Sequence, residues 1–205
     1  MKKICLVNGS LRGRKASSHA LLEELLPGFR GGEYVVTRLE MRAGRAATHA
    51  REAFQTMACS DAVILSFPLF AYSLPGGFIR FLEDFSRYLA EGMERYGGTR
   101  LYSIVNCGFP DPRVTGEAVR VVRNFCAATG LRYRFSVSVG CGPATLATRK
   151  VPVLNAKLKR ALTGIVMDIK EGSCAEATDF LVAPSIPKGI LLRVKESYEK
   201  RSGTM

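Results

Sequence analysis

The chain has 205 residues, 47% of them hydrophobic, which is enough for a packed core in one sizeable domain. Thirty Lys and Arg face 18 Asp and Glu, giving a net charge of +12 and a pI of about 9.7. No apolar run approaches the roughly 18–20 residues that cross a bilayer, so no membrane span is expected.

The elements follow in chain order. The N-terminal MKKICLVNGS has an apolar stretch of only four residues, Ile4 to Val7. That is too short for a signal peptide, so a cytoplasmic location is expected. Lys3–Asn8 reads as a first strand, buried on both faces. A polar loop, Gly9 to Ala16, leads into a helix over Ser17–Leu26. Tyr34–Leu39 is a second strand and Thr48–Met57 a short helix. Ala62–Phe67 is a third strand, followed by a helix whose stripe is Phe78, Phe81, Leu82, Phe85 and Leu89. Leu101–Asn106 is a fourth strand. Asp111-Pro112 then starts a helix with Val114, Ala118, Val121, Val122 and Phe125, and Gly130 stops it. Tyr133–Val139 is a fifth strand, and Leu154, Leu158, Ala161, Leu162, Ile165 and Ile169 form the last stripe.

Strands alternating with helices mean an α/β fold with a parallel sheet and right-handed crossovers. Five strands and five helices match a flavodoxin-like doubly wound sheet, order 2-1-3-4-5. A six-stranded Rossmann domain is the alternative. The repeat accounts for residues 1–172. Residues 173–205 fall outside it, with two prolines and then a helix-like run carrying Ile190, Leu191, Val194 and Tyr198. They are expected to be a helical appendage packing on the domain or on a partner subunit.

Cys5, Cys59, Cys107, Cys126, Cys141 and Cys174 form no C-x-x-C pair, and His19 and His49 add no ligand spacing. Neither a disulfide framework nor a metal site is expected. The basic balance suits anionic partners or simply a solvated basic face. The cations are scattered and no basic stripe interleaved with aromatics occurs, so nucleic acid is not an expected partner.

Ligands in open α/β sheets bind outside the carboxyl ends of the strands, near the switch in strand order. Three loops fall there. The first, GSLRGRKASS, gives Gly9 for a tight turn, a helix N-terminus, hydroxyls from Ser10, Ser17 and Ser18, and charge from Arg12, Arg14 and Lys15. Such a loop suits one phosphate, or is an ordinary turn capped by Ser17 or Ser18. It lacks both G-K-[ST] and G-x-G-x-x-G, so it is neither a P-loop nor a pyrophosphate fingerprint. The second, FPLFAYSLPGG, presents Pro68, Leu69, Phe70 and Tyr72, which suits a flat ring or merely covers the core. The third, NCGFPDP, offers Asn106, Cys107, Gly108 and Phe109. No predicted histidine stands near Cys107, so no thiol mechanism is expected.

Together these loops resemble those of flavodoxin-like NAD(P)H-dependent FMN reductases and related flavodoxin-family NAD(P)H oxidoreductases. The matching residues are G-S-x-R-G with its following S-S, DAVILSFPLFAYSLPGGFIRFLEDF, VNCGFPD and VAPSIPK. The resemblance implies FMN as cofactor and NAD(P)H as hydride donor. Ser10, Arg12, Ser17 and Ser18 would hold the phosphate. Pro68, Leu69 and Phe70 would contact the isoalloxazine, with Asn106, Cys107, Gly108 and Phe109 at its polar edge and Gly142 bordering it. It implies a small-molecule electron acceptor, such as a flavin or quinone, and a homo-oligomer. No catalytic acid or base is expected, because hydride transfer to a flavin needs none. Leu11 stands where the family often has proline, and the cysteine cluster of iron–sulfur relatives is missing. Two alternatives remain: a flavodoxin-type electron carrier, and a binding protein with this fold and no flavin.

Overall fold

The computed structural model describes residues 1–41, 47–92, 98–148, 151–172 and 177–183. Its elements in order are β1 (Lys2–Asn8), α1 (Ser17–Glu23), β2 (Tyr34–Glu40), α2 (Ala47–Ala58), β3 (Ala62–Pro68), α3 (Gly76–Ala90) and β4 (Arg100–Asn106). There follow α4 (Gly116–Thr129), β5 (Arg132–Val139), α5 (Gly142–Ala147), α6 (Pro152–Glu171) and β6 (Phe180–Val182).

The strands form one sheet in the order β2-β1-β3-β4-β5-β6, and every neighbouring pair is parallel. The expected order 2-1-3-4-5 is present, but the sheet has six strands rather than five. The sixth is the correction. β6 has only three residues and precedes a Pro-containing stretch, so it has too little sequence to show a strand period. It is not the Rossmann order either, since β6 extends the β5 edge of a 2-1-3-4-5 sheet. The apolar stripe expected over Ile190, Leu191, Val194 and Tyr198 lies outside the described residues.

The central strands β1 and β3 carry unbroken apolar runs because both of their faces are covered, whereas the edge strand β2 has no fully buried residue. One core joins Ile4, Leu6, Ile64, Tyr102 and Ile104 to Leu21 and Leu22 of α1 and to Leu158, Leu162 and Ile165 of α6. The other joins Cys5, Val7, Val63, Leu65 and Val105 to Phe54 and Met57 of α2, Phe78, Leu82 and Phe85 of α3, and Val122 of α4. Each fully buried Leu or Phe contributes about 1.5–3 kcal/mol.

Several local expectations shift. The first helix ends at Glu23 and passes into a 3-10 turn over Leu26–Phe29, because Pro27 cannot continue an α-helical ladder. Asp111-Pro112 starts a 3-10 turn, with the Asp111 side chain accepting from the Arg113 N–H at 3.0 Å, and α4 begins only at Gly116. Val114 therefore lies outside the helix, and Val121 faces solvent while Val119 and Val122 are buried. Gly130 stops α4 in the left-handed conformation.

Polar clasps hold the β5 side. The Asp168 carboxylate on α6 accepts from Arg134 Nε and Nη2 at 2.9 and 2.8 Å and from the Tyr102 hydroxyl at 2.6 Å. Asp179, just before β6, accepts from the Ser136 N–H and the Tyr133 hydroxyl, both at 2.8 Å, and pairs with Arg123. It thereby ties β6 to β5.

Candidate functional site

The parallel register places the carboxyl ends of β1, β3, β4 and β5 side by side: Asn8 pairs with Ser66, Pro68 with Asn106, and Asn106 with Val139. The three loops singled out from sequence, and the turn after β5, therefore share one edge.

The loop after β1 is organised by Asn8, a fully buried residue that the sequence reading passed over. Its Nδ2 donates to the Gly13 carbonyl at 3.0 Å and to Glu40 Oε2 at 2.7 Å, and its Oδ1 accepts from the Ser10 N–H at 3.2 Å. Glu40, from the end of β2, also takes His19 Nδ1 at 2.8 Å. The signal was a polar residue ending an otherwise apolar strand, but the partner Glu40 is 32 residues away and invisible to local spacing.

Gly9 is needed for close approach rather than for a turn. Its N–H donates to the Ser66 carbonyl at 2.8 Å, and a Cβ there would lie 2.7 Å from the Phe78 ring. The left-handed turn falls instead at Gly13, with φ +55°. Ser10 is buried and its Oγ accepts from the Arg12 N–H at 3.3 Å. Neither Ser17 nor Ser18 caps the helix, because Ala16 occupies the N-cap and offers no side-chain bond. Both serines thus lie inside the first turn. Ser17 is half-buried, while Ser18 is 1% exposed and its Oγ has no hydrogen-bond partner. A buried hydroxyl without a partner costs about 1–3 kcal/mol. Arg12, Arg14 and Lys15 are exposed.

The loop after β3 makes a tight hairpin, with Phe70 and Ser73 exchanging backbone hydrogen bonds at 2.8 and 2.9 Å. Its central residues, Ala71 and Tyr72, have φ of +46° and +61°. Such turns normally take Asn-Gly, and the left-handed conformation costs a side-chain-bearing residue about 1–2 kcal/mol. The strained turn presents Phe70 and Tyr72 to solvent, 68% and 59% exposed. Pro68 and Leu69 beneath them are half-buried.

The loops after β4 and β5 are laced together. Leu69 N–H donates to the Asn106 carbonyl at 2.7 Å, and Asn106 Nδ2 donates to the Phe67 carbonyl at 3.1 Å. The Asn106 carboxamide is therefore buried and braces the edge. Gly142 packs on it so closely that a Cβ would lie 3.1 Å from Asn106 Cβ and Oδ1. Cys141 N–H donates to the Phe109 carbonyl and Gly142 N–H to the Cys107 carbonyl, both at 2.8 Å. Gly108 and Phe109 project outward, and the Phe109 ring stacks on Tyr72 with centroids 6.0 Å apart and planes at 18°. Burial raises the pKa of the Cys107 and Cys141 thiols, so both are protonated at neutral pH.

Leu11, Phe70, Tyr72 and Phe109 thus expose large apolar surface from three loops of one edge, beside the serine-bearing turn. Leu11 leans over the start of α3, its Cδ atoms 3.8 and 3.9 Å from where a Gly77 Cβ would be. Two depressions lie at the opposite edge, one around Lys2, Glu33 and Tyr34 and one around Asp61, Arg100 and Arg132. The described residues contain no cluster of three His, Cys, Asp or Glu side chains able to hold a metal, and no helix long and apolar enough to cross a membrane.

No protein-family model and no curated protein matches the sequence. Solved structures do. An NADH:FMN oxidoreductase superposes with a TM-score of 0.61 at 16% identity, over 92% of this chain and 98% of its own. A flavone reductase gives 0.60 at 12% identity over 86% of this chain, which spans only 66% of the reductase. An NADPH-quinone reductase from P. pentosaceus gives 0.56 at 16% identity, over 85% and 99% of the two chains. At such identities the likeness is one of fold, and it agrees with the parallel α/β sheet described above. The chain has the flavodoxin-like α/β fold of these reductases.

Proposed function

We propose that the protein is an FMN-dependent oxidoreductase that takes hydride from NAD(P)H and reduces a small acceptor such as a flavin or quinone. One observation carries this reading. At a single sheet edge, a serine-bearing turn with an unsatisfied buried hydroxyl lies beside an exposed apolar patch built from three loops. A ligand with one phosphate and one flat ring suits both halves, whereas the turn has no fingerprint for a dinucleotide pyrophosphate.

The residues fit FMN. Ser10, Ser17 and Ser18 would offer hydroxyls to its phosphate, and Arg12 would add a charge-assisted bond. Pro68, Leu69 and Phe70 would bear on the ring. The backbone of Cys107, Gly108 and Phe109 would meet its polar edge, and Gly142 would keep the floor low beside Asn106. FMN would supply the hydride and electron chemistry, and the chain would bind and orient it. The exposed Tyr72–Phe109 pair would flank the face left open for nicotinamide and then acceptor, so that the two substrates use one place in turn. The basic surface would speed capture of the anionic nicotinamide, an effect that weakens with salt. We further propose a homo-oligomer, with residues 173–205 as its appendage, working in the cytoplasm.

The test is anaerobic titration of the FMN-loaded protein with NADH and with NADPH. Bleaching of the flavin absorbance, reversed by a quinone or free flavin, supports the reading. Bleaching by dithionite but by neither nicotinamide would make the protein an electron carrier. Failure to bind FMN would leave a binding protein of this fold.

A further inference from the structure

Cys107 and Cys141 stand on adjacent loops and converge on one turn. Cys107 Sγ contacts the Phe109 carbonyl at 3.4 Å, and Cys141 Sγ contacts the Gly108 carbonyl at 3.7 Å. The Cys107 sulfur also lies against the backbone N–H of Cys141. The backbones of the two loops are locked by the Cys141 N–H to Phe109 and Gly142 N–H to Cys107 bonds. Two thiols are thereby held on neighbouring backbones joined by two hydrogen bonds, the close pairing from which a disulfide starts.

The backbone at Cys141 adds a second observation. It sits between two glycines, in Gly140-Cys141-Gly142, with φ of +46°. Glycine would occupy that conformation without strain, yet a thiol is present. The other described cysteines differ: Cys5 and Cys126 are deep in the core, and Cys59 follows α2 just before the amino end of β3, the end of the sheet away from these loops.

We propose that Cys107 and Cys141 form a redox-sensitive pair that closes into an intramolecular disulfide on exposure to a hydroperoxide. One thiol attacks the peroxide oxygen, giving a sulfenic acid and releasing one water (or alcohol). The second thiol attacks that sulfur, the S–S bond forms, and a water leaves. The two thiols lose two electrons and two protons in total, and the peroxide O–O bond takes up the electrons. Because burial keeps both thiols protonated at neutral pH, closure is slow there and faster in alkali.

The disulfide would fasten the Gly108–Phe109 turn to the loop after β5. Its bearing on cofactor binding rests on the flavin reading; its formation does not. If closure lowers FMN affinity by about fivefold or more, bound FMN must hinder closure by the same factor at equilibrium.

The experiment treats the apoprotein with hydrogen peroxide, blocks remaining thiols and maps peptides by mass spectrometry without reduction. A linked pair of peptides containing Cys107 and Cys141, two hydrogens lighter than their sum and restored by dithiothreitol, is expected. The link should be absent in Cys107→Ser and in Cys141→Gly, the latter matching the backbone and so expected to fold. Over-oxidation of each cysteine singly, linkage to another cysteine, or unreacted thiols at alkaline pH would each overturn the proposal. FMN titration of the reduced protein is scored separately. A linked apoprotein that binds no FMN in either state would retain the redox pair and remove only its link to the flavin.

Discussion

Replacing Ser18 by Ala should move stability and cofactor affinity in opposite directions. Ser18 Oγ is buried without a hydrogen-bond partner, and the side chain is 1% exposed. In the apoprotein the hydroxyl is therefore a cost. Its removal should leave stability unchanged or raise it by up to about 1 kcal/mol, since part of the 1–3 kcal/mol relief is offset by the small void left behind. For a chain of this size that is a rise of up to about 2–4 °C in Tm. If the hydroxyl donates to the FMN phosphate, the same substitution removes a bond to a charged acceptor worth about 1.5–3 kcal/mol. The FMN dissociation constant should then rise by about 10- to 150-fold. Thermal melts of the apoprotein and fluorescence titration with FMN measure the two halves independently. A variant that loses apoprotein stability while binding FMN as before would show that Ser18 serves the core of α1 and would refute its place in the site.

Arg12→Ala should likewise weaken FMN binding about tenfold or more, with the urea midpoint unchanged, because Arg12 is on the surface; an unaltered dissociation constant would make Arg12 a solvated loop residue. Gly9→Ala should destabilise by about 1–3 kcal/mol. Its Cβ would meet a Phe78 ring that is fully buried and wedged between Phe67 and Phe81. Urea melts check this, and a neutral result would mean the ring has room to move. Asp168→Ala should cost nearer the lower end of about 3–5 kcal/mol, since Arg134 stays buried while Asp168 keeps slight exposure. Burial pushes the Asp168 carboxyl up, but Arg134 and Tyr102 outweigh it and hold its pKa below the ordinary value. Its contribution is thus complete above the unfolded carboxylate pKa of about 3.9 and is lost as pH falls through the lower folded value. Acid melts of Asp168→Asn should show a flatter decline below about pH 4 than the parent, and parallel curves would refute the linkage. Light scattering at the 22.4 kDa monomer mass would reject the proposed homo-oligomer.

Local sequence was enough to place the five long strands, their alternation with helices and the stop at Gly130. These are written in local pattern: unbroken apolar runs in β1 and β3, short stretches rich in β-branched or aromatic residues in the other strands, and 3.6-residue stripes on the helices. It also picked out the loops that share one sheet edge, because a parallel sheet sends alternate loops to that edge. The tertiary structure alone decided how those loops are held. Asn8 finds Glu40, Leu69 finds Asn106, and Cys141 meets the turn after Cys107 across gaps of 32 to 37 residues that no spacing rule spans. It showed that Gly9 makes room for Phe78, that Ala16 and not a serine begins α1, and that a three-residue strand ends the sheet. These depend on which surfaces come within a few ångströms after folding. Local sequence sets what each segment prefers, and packing between distant segments sets what each side chain touches.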